Sequence, residues 1–164
     1  MNEIEVMLAQ FQWSRGRTLG LLEDLEKEAD PVAALSWRPG AGRAHVAWQL
    51  MHVGVTEELF ATERLVPGTK PSWSELVPRF RGGSTPDDDI PSPKLLREVL
   101  DGSRSHLLAT LGQFRLEQLD DVPPALAERG WSLRTVLNVL AWHEAHHQGQ
   151  SHLTRNLWKA RRPT

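Results

Sequence analysis

The chain contains no cysteine and no tyrosine. Without cysteine there is no disulfide, no thiolate metal ligand and no cysteine nucleophile, so any bound metal must rest on histidine, carboxylate or water. No apolar run approaches the length needed to span a bilayer. The opening stretch MNEIEVMLAQ has acidic residues where a signal peptide would carry a basic start and an apolar core. The expectation is a soluble cytoplasmic protein with no membrane partner. Nor is there an excess of either charge: 19 basic and 21 acidic residues give a net charge of −2. The only basic cluster, Arg155, Lys159, Arg161 and Arg162, lies near the C-terminus, where cations complement a helix dipole. Nucleic-acid binding needs a wider basic face, so no nucleic-acid partner is expected. No internal repeat, low-complexity tract or linker divides the chain, and a single domain over residues 1–164 is expected.

What is present is helical. The 164 residues are 40% apolar, enough for one substantial core, and seven tryptophans carry most of the aromatic mass. Asn2 can cap a first helix, with Glu5 placed to complete a capping box. Ile4, Met7, Leu8, Phe11, Leu22 and Leu25 follow at helical spacing, interrupted by Gly16 and Gly20, and Pro31 marks the end. Each of those glycines costs about 1 kcal/mol against alanine unless close packing compensates. A second helix is predicted from about Arg43 to Leu65, with Val46, Leu50, Val53, Leu59 and Phe60 on its apolar side. A third begins at Ser92-Pro93 and carries Leu96, Val99, Leu107, Leu111 and Phe114. A fourth begins at Ser132, where Trp131 and Val136 can form a hydrophobic staple. Its stripe is Leu133, Val136, Leu137, Leu140, Leu157 and Trp158, and Pro163 closes it. Four amphipathic helices without strands imply an all-α four-helix bundle. The connection between the second and third helices, roughly Val66 to Pro91, is long for such a bundle. It holds SWSELVPRF, a candidate short helix from Ser72, and either lids a site or only crosses the bundle.

The last helix contains HEAHHQGQ at residues 143–150. Its first five letters match the H-E-x-x-H of zinc peptidases. That reading fails further along. No acidic residue follows His147 to act as a third ligand, and Gly149 and His152 each come one residue too early for the metzincin pattern. At about 100° per residue, His152 lies on the opposite side of the helix from His143.

His143 and His147, at i and i+4, nevertheless share one face, about 6 Å apart in rise, and continue the inward stripe. Buried imidazoles in an apolar seam need partners. A metal ion and a hydrogen-bonded polar core both satisfy that need. His52, in AWQLMHVGVTEELF on the second helix, lies at matching depth. Three inward histidines from two helices would form a triad that leaves coordination positions open, the form of a reactive site. His45, about 10 Å from His52 along the axis, is expected to face solvent or cap its helix. His106 could be a further ligand or proton carrier, or a boundary histidine. His146 sits beside the pair as an outer neighbour. Glu144 could orient a ligand, act as a base or make a surface salt bridge. Glu57 and Glu58 are expected on a solvated face.

With His52 inside MHVGVTEELF and H-x-x-x-H-x-G-Q at His143, His147, Gly149 and Gln150, the chain resembles the DinB-like (DinB/YfiT) superfamily of bacterial four-helix-bundle proteins. Gln148 stands where arginine is frequent in that family. The resemblance implies that His52, His143 and His147 bind one divalent metal, nickel or zinc first, with iron or manganese also accepted by imidazole. It implies an antiparallel bundle, commonly a homodimer, and relatives that use small thiols. Gln150, one turn from His147, can bond a ligand ring, and Gly149 suggests close approach of a helix or substrate. Three functions follow as expectations. The first is an enzyme that activates a low-molecular-weight thiol cosubstrate as thiolate against a small-molecule electrophile, in the manner of a thiol S-transferase, with Arg43, Arg79 or Arg81 available for carboxylates. The second is a metal-dependent hydrolase of a small ester or amide, with Glu144 or His106 as base. The third is a non-enzymatic metal- or ligand-binding dimer.

Overall fold

Asn2 closes the first helix as its spacing to Glu5 predicts. Its side chain accepts from the Glu5 amide at 3.0 Å, and the Glu5 carboxylate accepts from the Asn2 amide at 2.9 Å. In this computed structural model, which describes residues 2–161, the helix α1 so capped runs Glu3–Glu26. Arg162, the last of the predicted basic cluster, and Pro163 lie outside the described residues. Pro31 does not end α1. It opens a short helix α2, Pro31–Ser36, where the Asp30 side chain accepts from the Ala33 amide at 2.9 Å.

α3 spans Val46–Leu59 and continues through a wider turn, Phe60–Arg64, in which the Leu65 amide donates to the Phe60 carbonyl at 3.2 Å. That i→i+5 bond makes the turn a π-helix. Every residue from Val46 to Thr62 is buried, so α3 is the central element, with no solvent face. Gly54 explains part of its fit, since a Cβ there would stand 2.8 Å from Val99 Cγ1 on the neighbouring helix. α4, Val77–Phe80, is the short helix within the long connection. α5 runs Pro93–Leu111, capped by Ser92 Oγ on the Leu95 amide at 3.2 Å. Phe114 therefore falls beyond its end. Two 3₁₀ turns, Leu116–Gln118 and Pro124–Arg129, lead to α6, Leu133–Ala160, whose cap is Ser132. Trp131 packs against the cluster that contains Val136, as the staple requires. Leu157, placed on the inward stripe by its spacing, is 45% exposed instead.

α1, α3, α5 and α6 form the all-α bundle, and no strand occurs among the described residues. No described helix is long and apolar enough to cross a membrane. The core divides into two apolar clusters. Leu22, Leu25, Met51, Leu96, Leu100 and Trp158 belong to one; Phe11, Phe60, Leu107, Val136 and Leu140 belong to the other. On α1, α5 and α6 the residues Arg15, Arg104 and Glu144 stand where one cluster gives way to the other. With Glu57 of α3 they form a buried four-charge network. Arg15 meets Glu57 and Glu144 at 2.8 Å each, and Arg104 meets Glu144 at 2.5 Å and also pairs with Glu57. The remaining guanidinium hydrogens reach the carbonyls of Leu100 and Phe11.

This network corrects the placement of Glu57 on a solvated face: it is 2% exposed. Glu58 is buried too, accepting from the Ser72 amide at 2.7 Å and standing 3.1 Å from His106 Nδ1. A helix wrapped on all sides has no solvated face to offer, and its carboxylates are tolerated only because each meets cationic or N–H partners.

Candidate metal centre

His52, at the middle of α3, faces α6 at the level of His143 and His147. One ring nitrogen from each of the three lies within 4.8 Å of the other two. The Nε2 atoms of His52 and His143 are 3.0 Å apart. Ring centroids stand 4.9 Å apart for His52–His143, 4.7 Å for His52–His147 and 4.6 Å for His143–His147.

Hydrogen bonds on the far side of the rings decide what these nitrogens present. The Phe80 carbonyl lies 2.6 Å from His52 Nδ1. A carbonyl can only accept, so Nδ1 carries the proton and the neutral ring turns its Nε2 lone pair inward. His147 Nδ1 donates in the same way to the side-chain oxygen of Gln49. The His52 ring is also stacked on Trp48, with centroids 4.7 Å apart and planes 10° from parallel. Burial lowers the proton affinity of all three rings, and mutual repulsion would add to the cost of charging any of them. His143 and His147 are pushed down to about 3. His52 is also lowered, by burial first. The rings are therefore neutral at physiological pH. Neutral imidazoles, two of them with an outer N–H held by oxygen and an inward lone pair, suit a divalent ion. The cluster is thus capable of holding a metal through His52, His143 and His147.

Of the other expected site residues, Glu144 and His106 are engaged away from the triad, while His146 and Gln150 lie beside it. Glu144 follows His143 in sequence, so its side chain leaves α6 about 100° away. It is 1% exposed and accepts from Arg15, Thr18 and Arg104. Burial would raise its pKa, but the two guanidinium charges outweigh that and hold the carboxyl below its ordinary value. The possible surface salt bridge is accordingly a buried one. His106 is partly exposed and engaged with Glu58. His146 is exposed, stacks on Trp142 with centroids 4.9 Å apart, and stands 5.1 Å from the His147 ring. Gln150 Nε2 is 2.9 Å from His146 Nε2, and Gln150 lines a cleft together with His147. His45 caps α3 by accepting from the Trp48 amide at 3.0 Å, and it is buried rather than solvent-facing. Gly149 meets nothing within 4 Å of where a Cβ would stand, so no helix among the described residues approaches it closely.

Two partners of the triad are absent from the sequence reading. Gln49 precedes His52 by three residues on the same helix, a spacing that flags it. The Phe80 carbonyl is a backbone group, and no side-chain pattern announces it. It gives the long connection a role, because that segment both crosses the bundle and fixes the orientation of His52.

The triad stands between two clefts. One, about 530 Å³, is lined by Arg43, Trp48, Gln49, His147, Gln150 and Thr154, among others. The other, about 400 Å³, is lined by residues that include His52, Thr56, Phe60, Arg64, Trp142 and His143.

A family model described as the DinB superfamily matches residues 10–151. No curated protein and no solved structure gives a significant match to the chain.

Proposed function

The chain belongs to the DinB superfamily, and on that premise we propose that it is a metal-dependent enzyme of the thiol S-transferase type. The observation that carries this reading is a cluster of three neutral imidazoles open to two separate clefts. Two clefts meeting at one set of nitrogens suit a reaction between two small molecules. A divalent ion held by His52, His143 and His147, nickel or zinc in the first instance, would favour the thiolate form of a small thiol at neutral pH.

The chain's own residues do the rest. Three protein ligands leave coordination positions open. Phe80 and Trp48 hold the His52 ring, and Gln49 holds His147, so two of the three donor rings are fixed before any ligand arrives. The chain has no cysteine, so the thiol must come from a cosubstrate. The hydrolase alternative would need a base beside the ion, and both candidates are occupied: Glu144 by Arg15 and Arg104, His106 by Glu58. A homodimer belongs to the same proposal. Trp13 on α1 is 70% exposed, an apolar side chain of the kind that a second copy would cover.

The test is metal content per chain by elemental mass spectrometry, wild type beside His52→Ala, followed by turnover of thiol–electrophile pairs. One equivalent in wild type, lost in the variant, with metal-dependent conjugation is the expected result. Metal without turnover of any pair would favour a binding protein. Wild-type protein that takes up neither nickel nor zinc would sink the proposal.

A further inference from the structure

The cleft beside His52 and His143 is cationic. Arg64, Arg81 and Arg129 line it with Trp131 and Trp142, and no acidic residue does. None of the three arginines forms an ion pair among the described residues, although most other arginines in the fold do. The Arg64 guanidinium lies 4.3 Å from the centre of the Phe60 ring, and Arg129 lies 5.1 Å from that of Trp131. Stacking on a ring covers one face of a guanidinium and leaves its N–H edge free for an oxyanion.

Arg64 ties this group to the triad. Burial lowers its pKa first, and repulsion from Arg129 and Arg81 lowers it further, with Glu63 opposing. The same Arg64 charge disfavours protonation of both His52 and His143. A half-buried cation that shares its cleft with two others and has no ion-pair partner among the described residues is the arrangement expected of a site completed by an anion.

The wide turn puts Arg64 there. His52, Thr56, Phe60 and Arg64 follow at four-residue steps, and each such step drifts about 40° around an α-helix. After three steps Arg64 would have left the face of His52. The turn at Phe60–Arg64 closes i→i+5, so each residue advances less around the axis and part of the drift is removed. All four side chains consequently line one cleft.

We propose that Arg64, Arg81 and Arg129 bind the paired oxyanion groups, carboxylate or phosphate, of a small substrate whose reacting end lies at the histidine triad. The proposal rests on the enzyme reading for the word substrate, and on the arginines alone for binding. One of the two reactants therefore carries at least two anionic groups.

Calorimetric titration tests it, with tricarballylate and inorganic pyrophosphate as probes and the uncharged triamide of tricarballylate as control. Metal-loaded wild type, metal-stripped wild type and His52→Ala are compared at low salt. At least one anion should bind in all three and the triamide in none, and which anion binds distinguishes carboxylate from phosphate. Arg64→Gln should weaken binding at least tenfold with an unchanged circular dichroism spectrum. Arg115→Gln, an exposed residue that pairs with Glu117 and does not line this cleft, should leave it within twofold. No binding of either anion to metal-stripped protein, or an Arg64→Gln variant that binds like wild type, would overturn the assignment. Anion binding to a protein that takes up no metal would leave the cleft standing and remove the enzyme reading. Metal-dependent conjugation without anion binding would do the reverse.

Discussion

Replacing Glu57 by glutamine should destabilise the protein severely. Arg15, Arg104, Glu57 and Glu144 sum to zero charge, and their side chains are 4%, 4%, 2% and 2% exposed. Glutamine keeps the shape of Glu57 and removes its charge. Two guanidinium groups then face Glu144 alone, which leaves one buried positive charge without a partner. At an effective dielectric of about 20, a single contact at the 2.8 Å seen between Arg15 and Glu57 is worth roughly 6 kcal/mol before desolvation. Measured losses on breaking such buried pairs are smaller, about 3–5 kcal/mol. For a chain of 164 residues that corresponds to a fall in Tm of roughly 6–20 °C. The assay is urea and thermal unfolding followed by circular dichroism on metal-stripped protein, so that metal binding does not enter. A loss below about 1 kcal/mol would mean that water reaches the network and would refute the account of a dry, mutually neutralised cluster.

Further expectations can be checked on the same protein. Gln49→Leu should weaken metal affinity about 10–100-fold by releasing the His147 ring, with the helical signal unchanged; competition with a chelating dye measures it. His106→Ala should leave the metal equivalent intact, since that ring is engaged with Glu58; an emptied site would place it in the coordination sphere after all. Gly54→Ala should cost about 1–3 kcal/mol in chemical denaturation, because its Cβ would press on Val99 at 2.8 Å. Acid should unfold the metal-stripped protein in two ranges. His143 and His147 have folded pKa values of about 3 against an ordinary 6.5. The unfolded chain therefore binds protons that the folded one does not, and stability falls as pH drops from about 6.5 toward 3. The lowered Glu144 contributes fully above its ordinary 4.5 and is lost as pH falls through its folded value. Stability that stays flat between pH 7 and 4 would contradict neutral, buried imidazoles.

Helix periodicity and cap chemistry were legible because both are local. Asn2-Glu5, Ser92-Pro93 and Ser132 start their helices where the sequence says, and four-residue spacing puts His143 and His147 on one face. The pairing with His52 was legible by depth, since each histidine lies on the inward side of its helix, well away from the helix ends. What sequence could not convey is who surrounds a residue on all sides. Glu57 and Glu58 read as surface because carboxylates usually are, and only the approach of Arg15, Arg104 and His106 from other helices makes their burial tolerable. The π-turn at Phe60–Arg64 and the Phe80 carbonyl behind His52 are backbone features, without any side-chain signature.

The complete burial of α3 bears on how this protein can change over generations. No position between Val46 and Thr62 can vary as surface positions do, because each substitution there meets packed neighbours. Four of its polar members, Gln49, His52, Glu57 and Glu58, are each bound to groups on other elements. A mutational scan should find this segment the least tolerant in the chain. Under the proposed function, new substrate preferences would then have to arise from the cleft walls that other elements supply, around a central helix that stays as it is.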